Sequence, residues 1–179
     1  MKLSYGVSWV TQESTDVHDW VDKAIAKRVK AELSPELWEQ PALARIVRIS
    51  NHCYELGTKR FAEFGLTPVS HDVLVNLRLQ GEPFQLSPKE LAEASFMTSG
   101  GMSNALERLE RDGLIERLRH PKDRRGVLVT LTRKGKDLID EVMPRVASFH
   151  RGLFEVLDRN ETEVLEGLLK RLLVALESQ

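Results

Sequence analysis

Residues 98–135 read TSGGMSNALERLERDGLIERLRHPKDRRGVLVTLTRKG, and the hydrophobic period of this stretch changes twice. Met102, Leu106, Leu109, Leu114 and Ile115 first recur at helical spacing, with Thr98 and Ser99 as candidate caps and Asp112-Gly113 as the expected end of the helix. Alternation then takes over. Val127, Val129 and Leu131 alternate with Leu128, Thr130 and Thr132, and the turn residues His120-Pro121-Lys122-Asp123 precede them, with Arg124, Arg125 and Gly126 at the tip or return. This pattern predicts a β-hairpin. From Arg108 to Lys136 there are ten Lys or Arg against four Asp or Glu, a local charge of +6 in a chain whose formal total is -1. An acidic partner is expected there.

Working outward, Thr132 is placed to cap a long helix in which Leu138, Ile139, Val142, Val146, Phe149, Leu153, Phe154 and Leu157 recur at helical spacing, kinked at Pro144. Asn160 and Glu163 read as the start of a last helix with a leucine-rich seam: Val164, Leu165, Leu168, Leu169, Leu172, Leu173 and Leu176. On the other side, Ser87-Pro88-Lys89-Glu90 is a capping box opening a short helix with Leu91, Ala92 and Ala94. Before it, Thr67-Pro68 opens a helix whose expected buried face is Val73, Leu74, Leu77 and Leu79, ended by Gly81-Glu82-Pro83. Residues 42–64 carry another helical stripe, from Leu43 to Phe64, closed by Gly65. Residues 16–33 predict an extra N-terminal helix on Val17, Trp20, Val21, Ala24, Ile25, Val29 and Leu33, and residues 1–15 an arm without period. No internal repeat interrupts this order.

At 179 residues, 41% of them hydrophobic and 30% charged, the chain supports one sizeable core and reads as an ordinary soluble protein. No apolar run approaches the roughly 20 residues of a membrane span, and no secretory signal is read at the N-terminus, so no membrane partner and a cytoplasmic address are expected. Cys53, the only cysteine, excludes an internal disulfide and is expected to be a small buried hydrophobe on its helix. His52, Cys53 and His71 lack a spacing that forces shared metal coordination, so neither metal nor cofactor is expected. There is no Ser-His-Asp context and no phosphate-cradling glycine loop, and an enzyme is not expected even though His71 and Asp72 adjoin.

Three short helices followed by a basic hairpin have the layout of a winged helix-turn-helix, in which the third helix enters the major groove. Residue chemistry fits that task. Ser99, Ser103 and Asn104 fall in the first turns of the third helix; serine hydroxyls bond to either groove partner and asparagine pairs with adenine. Gly100 and Gly101 permit close backbone approach, the helix start offers free N–H groups to a phosphate, and Arg108 lies one turn on. Arg119, Lys122, Arg124 and Arg125 crowd seven residues of an expected surface turn, where their mutual repulsion would be relieved by an anion.

GLIERLRHPKDRRGVLVTLTRKG, residues 113–135, resembles the wing of the MarR family of bacterial transcriptional regulators. The family's Asp-x-Arg wing signature falls on Asp123 and Arg125, and its Leu-Thr-x-x-Gly helix start on Leu131, Thr132 and Gly135. The likeness extends from about Pro41 to Glu177, and residues 86–117 also look like the branch that responds to urate and carries an extra N-terminal helix. The resemblance implies a homodimer with interlocked first and last long helices, Arg125 in the minor groove and Asp123 bracing the wing. Leu165, Leu168, Leu169, Leu172 and Leu173 independently call for a partner surface.

The branch's ligand signature carries over in part. Asp72 matches its acidic position, Ala105 stands where its arginine is expected, and Trp20 and Trp38 flank the place, near Lys30, of its tryptophan. A cleft lined by Trp38, Arg48, His71 and Asp72 is therefore expected to take a small aromatic or anionic effector.

The fold class that follows is mainly α with a small β-hairpin wing: residues 1–64 form the arm, extra helix and first dimerisation helix, 65–136 the winged helix-turn-helix, and 137–179 the C-terminal dimerisation helices. The expected function is that of a ligand-responsive repressor binding double-stranded DNA at a pseudo-palindromic operator as a homodimer. The alternatives are a redox-responsive regulator of the same fold using Cys53 and a helical protein-interaction module without DNA binding.

Overall fold

A computed structural model describes residues 19–31, 39–95, 101–119, 121 and 126–178. The elements in chain order are α1 (Trp20–Lys30), α2 (Gln40–Ala62), α3 (Pro68–Leu79), β1 (Gln85–Leu86), α4 (Pro88–Ala94), α5 (Met102–Arg111), β2 (Ile115–Arg119), β3 (Val127–Leu131), α6 (Arg133–Leu153) and α7 (Arg159–Glu177). The chain divides into two compact units, Met1–Leu56 and Gly57–Gln179.

In the first unit, Asp19 and Asp22 form a reciprocal cap at the start of α1: the Asp19 N–H donates to Asp22 Oδ2 at 3.0 Å, and the N–H groups of Val21 and Asp22 donate to Asp19 Oδ1 at 2.7 and 3.1 Å. Arg45 of α2 then bridges both carboxylates at 2.8 and 2.6 Å, and Arg48 lies 4.9 Å from the centre of the Trp20 ring. Burial pushes the Asp19 carboxyl up, but the Arg45 hydrogen bond and the backbone N–H groups outweigh it and hold the group low. Residues 1–18 and 32–38, and with them the proposed arm and Trp38, lie outside the described residues.

The second unit is built around one core. Val73, Leu74 and Leu77 of α3, Leu91 of α4, Met102, Leu106 and Leu109 of α5, Ile115 and Val129 of the hairpin, and Ile139, Val142 and Val146 of α6 are buried together. Each fully buried leucine contributes about 1.5–3 kcal/mol over leaving it in water, which is what draws three short helices onto one hairpin. The first half of α6 thus completes the core of the module it follows.

Caps fix the element boundaries. Thr67 Oγ1 accepts from Ser70 N–H at 3.1 Å to start α3, Ser87 and Glu90 close a capping box on α4, and Thr132 Oγ1 accepts from Gly135 N–H at 3.0 Å to start α6. The α5 helix ends at Asp112-Gly113 as its sequence predicts. Gly113 takes φ +70°, so that its N–H reaches the Glu110 carbonyl and the Leu114 N–H the Leu109 carbonyl, and the chain reverses directly into β2. The same pair of backbone bonds follows α2 at Gly65 and Leu66.

Several local expectations are corrected. Leu79 is exposed, because two residues beyond Leu77 is more than half a helical turn away. Cys53 is exposed rather than buried, on a helix whose apolar side chains Leu43, Ile46, Val47, Ile49 and Leu56 are also exposed. The α6 helix stops at Leu153, which leaves Phe154 and Leu157 in the turn that follows. Asp158 and Glu161, not Asn160 and Glu163, form the capping box of α7. The hairpin gains a partner that was not expected: Gln85 and Leu86 pair with Thr130 and Val129, which makes a three-stranded antiparallel sheet of order β1-β3-β2.

Candidate nucleic-acid interface

The α5 helix is sharply two-sided. Met102, Ala105, Leu106 and Leu109 are buried, whereas Ser103, Asn104, Glu107, Arg108 and Arg111 form an exposed polar stripe on the opposite side. Gly101 occupies the N-cap and brings no side-chain acceptor, so no cap group of its own competes for the N–H groups of the first turn. A Cβ on Gly101 would meet Val69 Cγ2 at 3.4 Å, an ordinary contact. Thr98, Ser99 and Gly100 lie outside the described residues. Ala105, where the resemblance to the urate-responsive branch led to the expectation of an arginine, packs inward at 6% exposure, so an arginine there would have to leave the core.

Arg108 is committed locally. Its Nη2 donates to the Gly65 carbonyl at 3.0 Å and its Nε lies 3.7 Å from Asp112, so in this structure it ties α5 to the turn after α2 rather than projecting free.

The hairpin runs from Ile115 opposite Leu131 to Arg119 opposite Val127. At its base, the Thr132 N–H donates to the Leu114 carbonyl and the Thr132 hydroxyl to the Gly113 carbonyl at 2.8 Å. Gly135 is required here: a Cβ at that position would stand 2.0 Å from the Leu114 carbonyl oxygen. Thr132 and Gly135, two of the residues carrying the family resemblance, therefore let α6 start flush against the turn between α5 and β2. Arg117 pairs with Glu110 at 3.4 Å, while Arg119 is exposed with no ion-pair partner among the described residues. Lys122, Asp123, Arg124 and Arg125 fall between the strands by sequence and lie outside the described residues.

A two-sided third helix followed at once by an antiparallel hairpin has close counterparts. The family model for MarR matches residues 64–126. The multiple antibiotic resistance protein MarR of Salmonella typhimurium is 35% identical over 109 residues, which cover 60% of this chain and 74% of that protein. The chain belongs to the MarR family. Among solved structures, AbsC, a MarR family transcriptional regulator from Streptomyces coelicolor, superposes with a TM-score of 0.71 at 27% identity, covering 82% of this chain and 99% of AbsC. A mutant MarR from E. coli complexed with operator DNA aligns with a TM-score of 0.65 at 29% identity over 78% of this chain and 99% of that one. BpsR of Bordetella bronchiseptica, whose structure concerns regulation of DNA binding by 6-hydroxynicotinic acid, aligns with a TM-score of 0.68 at 25% identity, covering 78% and 97%. This MarR-family protein is a DNA-binding transcriptional regulator with the winged-helix fold.

The remaining site residues have local partners. His71 stacks on Phe61 with ring centroids 4.2 Å apart, and its buried Nε2 has no hydrogen-bond partner among the described residues. Burial lowers the His71 pKa, nearby Asp72 opposes the shift and His150 adds to it. Asp72 accepts from the Ser95 hydroxyl at the end of α4 and from Asn76 Nδ2 at 3.3 Å, which joins α3 to α4. Arg48 belongs to the first unit, over Trp20. No helix among the described residues is long and apolar enough to cross a membrane, and no group of three or more His, Cys, Asp or Glu among them is placed to hold a metal ion. The sequence reading missed β1 and the residues leading into it, because Phe84-Gln85-Leu86 is too short a run to register as a strand.

Proposed function

We propose that the protein is a ligand-responsive repressor that occupies a pseudo-palindromic operator as a homodimer. The observation that carries this reading is the division of α5 into a buried apolar side and an exposed side bearing Ser103 and Asn104, beside a hairpin whose connection holds Lys122, Arg124 and Arg125. In this reading α5 lies in the major groove, Ser103 and Asn104 meet base edges, Arg119, Lys122 and Arg124 neutralise phosphates, and Arg125 enters the minor groove with Asp123 bracing it. Arg108 positions α5 through the Gly65 carbonyl and is available to a phosphate only by exchanging that bond.

Dimerisation is supported by the apolar side chains left uncovered in the single chain. Leu165 is half-buried, and Leu168, Leu169, Leu172 and Leu173 of α7 are exposed, which is the state expected of a seam that a second copy covers. For the effector, the chemistry of His71 favours a small aromatic or anionic molecule: an imidazole stacked on Phe61, with one buried nitrogen that has no hydrogen-bond partner among the described residues, offers both a flat face and a hydrogen bond. Trp38, Arg48 and Asp72 are the other candidates. Such an effector would act by population shift, favouring a dimer whose two α5 helices no longer match adjacent major grooves. The direct test is Arg125→Ala titrated against the duplex that the full-length protein selects from random DNA: affinity is expected to fall roughly tenfold or more with the dimer intact, and an unchanged affinity refutes the wing assignment.

A further inference from the structure

Outside the interface, one cluster joins α3, α6 and the strand flanking the wing. Arg78, in the last turn of α3, donates from Nε to Asp140 Oδ1 of α6 at 2.7 Å, and Lys136 Nζ donates to Asp140 Oδ2 at 2.7 Å. Asp140 thus has both oxygens filled by cations from two helices, and these hydrogen bonds, Arg78's first, hold its carboxyl below the usual range. The Arg78 guanidinium also lies 5.3 Å from the centre of the Phe84 ring.

Phe84 is unusual in its backbone. Its φ is +57°, the left-handed region that side-chain-bearing residues seldom adopt, and its N–H donates to the Gly81 carbonyl at 2.6 Å. Its own carbonyl accepts from the Leu131 N–H at 3.1 Å, at the inner end of β3, one residue before the pairing of β1 with Thr130 and Val129. A continuous set of contacts therefore runs from Asp140 through Arg78 and Phe84 to the strand that carries one side of the wing.

We propose that Arg78, held by Asp140, is a positioning residue for DNA binding: it fixes Phe84 in its left-handed conformation and so sets the root of the wing relative to α5. The three side chains are each partly exposed, with Arg78 at 37% and Asp140 at 38%, so the pair adds little to global stability. What it adds is a second hold on β3. The hairpin is anchored to the α5 turn on one side by Leu114 and Gly113, and to the turn after α3 on the other by Phe84, so the root of β3 is held at two points. This role rests on the operator-binding reading above, but its structural half can be measured without DNA.

Hydrogen exchange of the full-length dimer, compared for wild type, Arg78→Ala and Arg78→Lys, tests the hold directly. In Arg78→Ala the Leu131 amide is expected to exchange roughly threefold to tenfold faster while the amides of Leu74, Leu109 and Ile139 are unchanged, and Arg78→Lys, which keeps the charge on Asp140, recovers part of the protection. Equal exchange at Leu131 in all three proteins, or a uniform acceleration across the core, overturns the proposal whether or not DNA is bound. Operator titrations of Arg78→Ala alone and combined with Arg125→Ala then separate positioning from general destabilisation. A loss of roughly threefold or more that disappears in the Arg125→Ala background is the expected result, because the wing tip is then already disengaged. The same loss in both backgrounds contradicts a wing-positioning role, and a failure of wild type to select any duplex counts against operator binding while leaving the exchange result to decide the hold.

Discussion

Gly135 shows how little room a single atom has at the foot of the wing. With a Cβ only 2.0 Å from the Leu114 carbonyl oxygen and 2.9 Å from Leu131 Cδ1, Gly135→Ala forces α6 away from the turn between α5 and β2. We expect a loss of about 3 kcal/mol, at the upper end of overpacking costs because backbone rather than a side chain must yield; urea unfolding measures it, and a loss below about 0.5 kcal/mol contradicts the close approach. His71 carries the pH dependence. Burial depresses its folded-state pKa below the ordinary 6.5, so between that depressed value and 6.5 the unfolded chain binds more protons than the folded one. Stability is therefore fully present above about 6.5 and falls as the pH drops through 6.5 toward the folded-state value. His71→Phe, which keeps the stack on Phe61, is expected to flatten thermal stability between pH 5 and 7, roughly the window in which an unperturbed histidine titrates; an unaltered slope contradicts the assignment. Both residues were visible in the sequence, but only as types. That Gly135 is needed for contact with a backbone 21 residues earlier, and that His71 lies under Phe61, depend on tertiary neighbours that no local pattern encodes.

Among the elements, those marked by caps were the most legible. Thr67-Pro68, Ser87-Pro88 with Glu90, Asp112-Gly113 and Thr132 each stand where their sequence signals place a boundary, because a cap is a bond between residues no more than about five apart. Asp158 and Asn160 are both good caps with a glutamate three residues on, and the apolar period alone does not separate them. The β1 strand was invisible, being two residues long and dependent on β3 for all its pairing. The apolar stripe of α7 was read correctly as a pattern and now stands as an uncovered surface: no residue of α7 is buried in the single chain. If a second copy covers it, Leu169→Glu or Leu172→Glu places charge in that seam. Light scattering is expected to show monomers, and specific operator binding to fall with the loss of the paired half-site contacts; a monomer that still binds its operator as tightly as the wild type contradicts the dimer reading.

At the scale of the molecule, function was announced by charge segregation more than by any motif. A chain of net charge -1 that concentrates +6 between Arg108 and Lys136 is expected to meet an anion at one place, and the described residues of this segment lie on the third helix, the two strands of the hairpin and the first turn of α6. The effector side was far less legible: Trp38 lies outside the described residues, Arg48 is engaged by Trp20, and Asp72 is joined to Ser95 and Asn76. Polar residues near helix starts look alike in sequence whether they brace a fold or wait for a ligand. The central claim, that this chain reads DNA through its third helix and wing, is tested most directly by titrating the full-length protein onto its selected duplex across a range of salt concentrations. A logarithmic affinity that falls linearly and steeply with the logarithm of salt, with a slope about one unit shallower for each phosphate-contacting cation removed among Arg119, Lys122 and Arg124, is the predicted result. An affinity indifferent to salt, or equal for selected and scrambled duplexes, would contradict it.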